Sequence, residues 1–363
     1  MKKRILELCL SPDLGGLELS VVDFYKAFKK ETESFICVAD GKKLDTFLAD
    51  NPQKLTLKRS KVALLLNARR VAKYLDANAI DIIHFHWTKD MPLAVLAKTF
   101  ASRNVKIVQS RHMTMTRFKS DFYHRWLYKN IDMMHAVTKQ VKAQIQKYVP
   151  RDIIPVVKDI YLGVDEVSVD TTLLAQLKKE YNIGSDDFVV GIVGRIEEGK
   201  GQYIVIEALK KLQNLNIKLL IVGHTMDEAY LHELQEKVDT LGVSKQVIFT
   251  GFTKEVNAHM QLFDVAVLAT PKETFGLVVI EAMINKVVVI ATNQGGPLEI
   301  IEDGVDGLLF DRSAQMLAQK IEQLYNDKAY KEKLSAAAYK TAKEKFDKET
   351  QMKKLYKAIV DED

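Results

Sequence analysis

The chain has 363 residues, 47% of them hydrophobic and 28% charged, with 17 Gly, 7 Pro and a formal net charge of +5. That length suits two domains, and the composition excludes a disordered, collagen-like or repeat-array protein. No apolar run approaches the roughly 18 residues that cross a bilayer, which excludes a membrane-spanning helix.

The opening MKKRILELCL reads as a basic cap on a first β-strand. A secretory signal needs a longer apolar core and a cleavage site, and Asp13 breaks the run. A cytoplasmic protein is expected, with the inner face of the cytoplasmic membrane within its reach. Cys9 and Cys37 lie in strand-like stretches and form no metal or redox motif, so buried free thiols are expected.

Strand patterns fall at 5–10, 34–39, 81–86, 106–110, 134–138 and 154–160, with helical patterns at 16–29, 62–75, 91–102, 120–130 and 139–148 between them. After a helix at 172–181 the order restarts, with strands at 187–193, 217–222, 247–250, 265–269, 287–291 and 307–310. Helices are expected there at 201–212, 227–241, 254–263 and 275–285, and everything after Ser313 reads as helical. Alternating β and α implies parallel sheets covered on both faces. The expected organisation is an N-terminal domain over 1–165, a second domain over 166–345, and a last helix at about 346–363 packing back on the first. Ligands of such sheets sit beyond the carboxyl ends of the strands, so loops after strands are where chemistry belongs.

Four such loops stand out. In the first, SPDLGGLE, Gly15 and Gly16 let backbone approach a ligand ahead of a helix N-terminus that favours an anion; an ordinary strand-to-helix turn is an equal reading. In VGRIEEGKG, Gly194 permits a tight turn, and Arg195 with Lys200 could clamp a diphosphate. The competing reading is a basic loop neutralised by Glu197 and Glu198. In TPKETFGLVVIEAM, Glu273 precedes a helix whose first amides, near Gly276 and Leu277, suit a phosphate. Glu281 lies among apolar residues of that helix, where a buried carboxylate needs a partner such as sugar hydroxyls. In NQGGPLEII, Gly295 and Gly296 lead into a helix with Pro297 early in it.

His84 and His86 share one strand face, but a third metal ligand is not identifiable beside them. His112 follows a strand, where a substrate-lining residue belongs. The Asp-x-Asp pattern occurs at 361–363, at the chain terminus, and serine-hydrolase and P-loop signatures are absent. Cations cluster at Arg59, Lys61, Arg69, Arg70 and Lys73, and again from Arg103 to Lys129. The stretch RFKSDFYHRWLYK at 117–129 interleaves them with aromatics and reads equally as a membrane-interface segment or as core packing under a basic face.

Taken in order, GR at 194–195, KG at 200–201, GF at 251–252, Glu273 and Glu281 with seven residues between them, and GGPLEII–DGVDGLLF resemble the retaining GT-B glycosyltransferases of family 4. The resemblance spans nearly the whole chain. It implies two Rossmann-like domains facing a central cleft, and metal-independent transfer of a sugar from a UDP- or GDP-type donor to a hydroxyl of a glycan or lipid-linked glycan. No metal, cofactor or nucleic acid is implied. Arg195 and Lys200 would bind the donor diphosphate, Glu273 the sugar hydroxyls, and the amides of Gly276 and Leu277 phosphate or sugar. Glu281 would hold the ribose, Phe252 would lie near the base, and Gly16 would close over the donor. His112 would act near the reacting centre. A sugar-nucleotide epimerase or phosphorylase of the same plan, and a non-catalytic sugar-nucleotide binder, are the alternatives.

Overall fold

The computed structural model describes residues 2–49, 51–60 and 62–361. Lys61 of the first basic cluster and Asp363 of the terminal Asp-x-Asp lie outside the described residues. The chain divides into two compact units, Met1–Leu162 with Glu349–Asp363, and Gly163–Lys348.

Unit 1 is built on β1 (Ile5–Cys9), β2 (Ser34–Ala39), β3 (Lys54–Leu57), β4 (Ile82–Phe85), β5 (Lys106–Arg111), β6 (Met133–Ala136) and β7 (Val156–Asp159). They form one parallel sheet in the order β3-β2-β1-β4-β5-β6-β7. The central strands are apolar runs because helices cover both faces, and β1, β2, β4 and β6 are buried along their full length. The edge strand β3, Lys-Leu-Thr-Leu, and the short helix Lys43–Leu48 were not expected from the sequence; β3 is largely half-buried and lacks the apolar run that marks the others. Cys9 and Cys37 are buried and free, and burial pushes both thiols up.

Unit 2 carries β8 (Phe188–Val193), β9 (Ile217–Val222), β10 (Val247–Gly251), β11 (Val265–Leu268), β12 (Val288–Thr292) and β13 (Leu308–Phe310). Their order is β10-β9-β8-β11-β12-β13, again parallel. Val190, Ile192, Leu219, Ile221, Val267 and Ile290 form its core with the helices Gln202–Lys211 and Ala314–Asn326. The helical region after Ser313 resolves into Ala314–Asn326, Lys328–Lys345 and Lys348–Val360, the first capped by Ser313 accepting from the Met316 amide.

Strand order reverses between β1 and β4 in unit 1 and between β8 and β11 in unit 2. Connections leave in opposite directions at such a point and open a crevice beyond the strand ends. The candidate residues of unit 2 follow from that topology.

Candidate functional site

The loop after β8 carries Gly194 and Arg195 and ends in a short 3-10 turn, Glu198–Lys200. The loop after β11 carries Glu273 and reaches the helix Leu277–Ile284. These flank the crevice of unit 2, and they meet there. Lys200 Nζ lies 3.5 Å from Glu273 Oε2, with 27% and 21% of the two side chains exposed. Arg195 Nη2 lies 3.0 Å from Glu197 Oε1. Glu197 thus neutralises Arg195, whereas Lys200 pairs with the acid of the opposite loop. Gln202 Nε2 donates to the Arg195 carbonyl at 2.8 Å and holds the loop against the next helix.

Glu273 is placed by the backbone of the loop after β12. The Gly296 amide donates to the Glu273 carbonyl at 2.9 Å. Gly295 has φ +69°, and a Cβ there would sit 2.3 Å from that same carbonyl oxygen. Only glycine fits this conformation and this approach. Pro297 begins the helix Pro297–Ile300, the early position expected of it.

The helix Leu277–Ile284 starts two residues later than its apolar pattern suggests, because Gly276, at φ +101°, is its N-cap. No side chain caps it, so its first amides remain available to an anion. Leu277 and Glu281, four residues apart and therefore on one face, are both half-buried. Phe252 follows β10 and is 68% exposed. It packs edge-on against His224 at 6.0 Å. The sequence reading missed His224, although its place directly after β9 is the same signal that singles out the other loops.

In unit 1, the helix Gly16–Glu31 follows β1, and the Gly15 amide donates to Glu18 Oε2 at 2.8 Å. A Cβ on Gly16 would meet nothing within 4 Å, so the protein's own packing does not require glycine there. The Leu10 amide donates to Asp90 Oδ2 at 2.8 Å, tying the loops after β1 and β4 together. Asp90 is buried, which pushes its carboxyl up to about 7. Beside it lies a cavity of about 440 Å³ whose lining includes Arg59, Trp87, Lys89, Lys119 and Tyr123. Arg59 and Lys89 stand 4.6 and 5.0 Å from the Trp87 ring centre.

Segment 117–129 divides between surface and core. Phe118, Phe122 and Tyr123 are 63%, 88% and 50% exposed, whereas Leu127 and Tyr128 are core residues.

Four histidines of unit 1, His84, His86, His112 and His135, form a connected set. Glu7 Oε1 lies 3.1 Å from His84 Nδ1, and Glu7 Oε2 lies 2.6 Å from His86 Nε2. Ser110 Oγ lies 2.7 Å from His84 Nε2 and 2.6 Å from His135 Nδ1. His86 Nδ1 reaches His112 Nε2 at 3.4 Å, and His135 Nε2 reaches the Ile160 carbonyl at 2.7 Å. Glu7, which the sequence reading did not find beside His84 and His86, is therefore their partner.

Among the described residues, Glu7, His84 and His86 are the group whose ligating atoms lie close enough to hold a metal. Ligands about 2.0–2.1 Å from a tetrahedral ion stand roughly 3.3 Å apart. The 2.6 Å between Glu7 and His86 is instead a hydrogen bond.

Two doubly wound parallel sheets, with cations and acids on the loops at the point where one of them reverses, define a protein of the two-Rossmann GT-B class. The family model described as "Glycosyl transferases group 1" matches residues 175–341, and "Glycosyltransferase Family 4" matches residues 14–166. The chain belongs to the GT-B glycosyltransferases of group 1 and family 4.

The chain is 27% identical over 309 residues to the N-acetyl-alpha-D-glucosaminyl L-malate synthase of Bacillus anthracis, covering 82% of this chain and 79% of that one. It is 25% identical over 345 residues to CapM of Staphylococcus aureus, a capsular polysaccharide biosynthesis glycosyltransferase, covering 88% and 87%. A glycosyltransferase from Rickettsia africae superposes with a TM-score of 0.88 at 22% identity, covering 100% of both chains. HepE from Anabaena in complex with UDP-glucose superposes with a TM-score of 0.83 at 24% identity, covering 98% and 99%. At these identities the solved structures establish the fold.

Proposed function

We propose that this glycosyltransferase moves a sugar from a UDP- or GDP-type donor to a hydroxyl of a cell-surface glycan or lipid-linked glycan, with retention of anomeric configuration and without a metal. The observation that carries the reading is the meeting of Lys200 and Glu273 at the strand reversal of unit 2, one cation and one acid from the two loops that open there.

The chemical difficulty is departure of a nucleoside diphosphate. The C1–O bond of the donor breaks and its electron pair goes to the diphosphate. The acceptor oxygen bonds to C1 on the same face, and its proton passes to the departing phosphate oxygen. Arg195 and Lys200 stabilise the charge that develops there, together with the amides of Gly276 and Leu277. The Gln202 side-chain amide holds the Arg195 backbone, and the Gly296 amide holds that of Glu273, before reaction. Glu273 accepts from the sugar hydroxyls, Glu281 from the ribose, and Phe252 with His224 offers aromatic surface to the base. Gly194 lets the Arg195 loop approach the phosphates. In unit 1, His112 takes a substrate hydroxyl, and the open space beside Gly16 admits part of a ligand.

The relatives support the acceptor class, since CapM is a capsular polysaccharide biosynthesis enzyme and LpsE of Rhizobium meliloti is a lipopolysaccharide core biosynthesis one. HepE, crystallised with UDP-glucose, supports the donor class. No described helix is long and apolar enough to cross a membrane. The exposed Phe118, Phe122 and Tyr123, set among cations, support peripheral contact with an anionic bilayer at the inner face of the cytoplasmic membrane.

A thermal-shift panel of nucleoside diphosphates and sugar nucleotides tests the reading, because a ligand of the native state raises its melting temperature. Stabilisation by one base, stronger for the sugar nucleotide than for the mononucleotide, is expected. No shift with any member at millimolar concentration sinks it.

A further inference from the structure

A row of polar side chains crosses the interior of unit 1, at right angles to its strands. It runs from His112, beyond the end of β5, through His86 and Glu7 to His84, then through Ser110 and His135 to the Ile160 carbonyl. Glu7 of β1 is in register with His84 of β4, and Ser110 of β5 with His135 of β6. Phe24 covers the row, its ring stacked on His86 at 5.2 Å. Glu7, His84, Ser110 and His135 are wholly buried and His86 is 2% exposed, whereas His112 is half-buried. Burying this many polar groups is costly unless every one is satisfied, and here each finds a partner.

The proton positions can be derived from one end. The Ile160 carbonyl can only accept, so His135 carries its proton on Nε2 and offers a lone pair at Nδ1. Ser110 has a single proton and gives it to His135 Nδ1, so Ser110 Oγ accepts from His84 Nε2. His84 Nδ1 is then a lone pair facing the Glu7 carboxyl, 3.1 Å from Oε1 and 3.0 Å from Oε2, and one proton must lie between the two groups. With His86 Nε2 already 2.6 Å from Oε2, Oε1 is the oxygen that carries it. Burial raises the Glu7 carboxyl and pushes His84 and His86 down to about 3, which puts that proton on the acid. Glu7 Oε2 is left as an acceptor for His86 Nε2–H, and His86 Nδ1 accepts from His112 Nε2–H. The last atom in the row is His112 Nδ1, and it holds a lone pair.

We propose that Glu7, His84, His86, Ser110 and His135 are positioning residues that lock His112 as the neutral Nε2–H tautomer, presenting Nδ1 as a hydrogen-bond acceptor to a substrate hydroxyl. The lock is a property of unit 1 alone. Its link to turnover rests on the place given to His112 in the proposed reaction. The isolated lone pair suits a hydroxyl donor, either on the transferred sugar or on the acceptor, and gives no hydrogen bond to a carbonyl or a phosphate oxygen at that atom.

The experiment is long-range 15N–1H NMR of the full chain labelled with 15N-histidine, at pH 7.5, with the His112 signals assigned by their loss in H112Q. The expected result is an unprotonated Nδ1 and a protonated Nε2 on His112. Glu7→Leu removes the donor to His84 and the acceptor for His86; it should mix or reverse the His112 tautomer and lower kcat about tenfold or more with donor KM little changed. Glu7→Gln is isosteric with the neutral acid, donating to one histidine and accepting from the other, and should restore what Glu7→Leu loses. Should Glu7→Leu not fold, Ser110→Ala interrupts the same row with a smaller change and should also disturb the tautomer.

An Nδ1–H tautomer in the wild type overturns the proposal. So does an unchanged tautomer in both Glu7→Leu and Ser110→Ala, or stoichiometric zinc in the purified wild-type protein. The NMR result needs no substrate, so it separates failure of the lock from failure of the transferase reading.

Discussion

Lys200 Nζ and Glu273 Oε2 stand 3.5 Å apart although their residues lie on different loops, one after β8 and one after β11. The pair is partly exposed, so as a surface ion pair it contributes little to stability. Its position matters more, because it sets a cation and an acid at the one crevice of the unit 2 sheet where strand order reverses. Replacing Lys200 by Ala should lower kcat by about 10²–10³-fold, the cost of removing one preformed donor to a developing anion. Melting temperature should change little. Steady-state kinetics beside a melting curve checks this, and an unchanged kcat refutes the role of Lys200.

Arg195 should behave differently. Its side chain is 53% exposed and already paired with Glu197, so Arg195→Ala should lower kcat less than Lys200→Ala does and should raise donor KM as well. About tenfold is expected, corresponding to one charge-assisted hydrogen bond of roughly 1.5–3 kcal/mol. A wild-type donor KM in this variant counts against the phosphate clamp.

Gly295→Ala tests whether the loop after β12 places Glu273. The added Cβ would meet the Glu273 carbonyl at 2.3 Å in a conformation with φ +69°. A cost on the order of 1–3 kcal/mol is expected from backbone strain, together with a loss of turnover comparable to that of Glu273→Gln. Chemical denaturation and kinetics read the two effects separately. Full activity at lowered stability shows that Glu273 does not depend on this loop.

Asp90 gives a pH prediction. Its folded-state pKa is raised to about 7 from an ordinary 3.8, so the native state holds this proton more tightly than the unfolded state does. The stability it contributes is fully present below about pH 4 and is lost as pH rises through about 7, with a slope of up to roughly 1.4 kcal/mol per pH unit. Asp90→Asn keeps an acceptor for the Leu10 amide and removes the titration. The wild type should therefore lose stability relative to the variant between pH 5 and pH 8 in urea melts. Parallel pH profiles for the two proteins contradict the assignment.

Chelation should leave the enzyme active. The proposed leaving-group assistance comes from Arg195, Lys200 and helix amides, so dialysis against EDTA should change donor turnover by less than about twofold. Loss of turnover restored by a divalent cation argues for a metal in the mechanism.

Much of the fold was legible because buried parallel strands are written as apolar runs, and β2 and β9 begin and end where those runs do. The edge strand β3 was not, since its Lys-Leu-Thr-Leu pairs on one side only and carries no such run. In unit 2 the candidate loops were legible because each directly follows a strand, and spacing alone put Arg195, Lys200 and Glu273 on them. The exchange of partners, Lys200 with Glu273 and Arg195 with Glu197, needed coordinates. The histidine row was the least legible part. His84 and His86 are visible as an i, i+2 pair, but Glu7 lies 77 residues before His84 and Ser110 lies 26 after it. No local pattern encodes a partnership that only sheet register creates.

The most direct test of the donor site is calorimetric titration of the preferred nucleoside diphosphate into the wild type and the Arg195→Ala/Lys200→Ala double variant. The account predicts binding to the wild type without added metal, and a loss of at least about 100-fold in the variant, from two charge-assisted contacts at roughly 1.5–3 kcal/mol each. Equal affinity in the two proteins would contradict it.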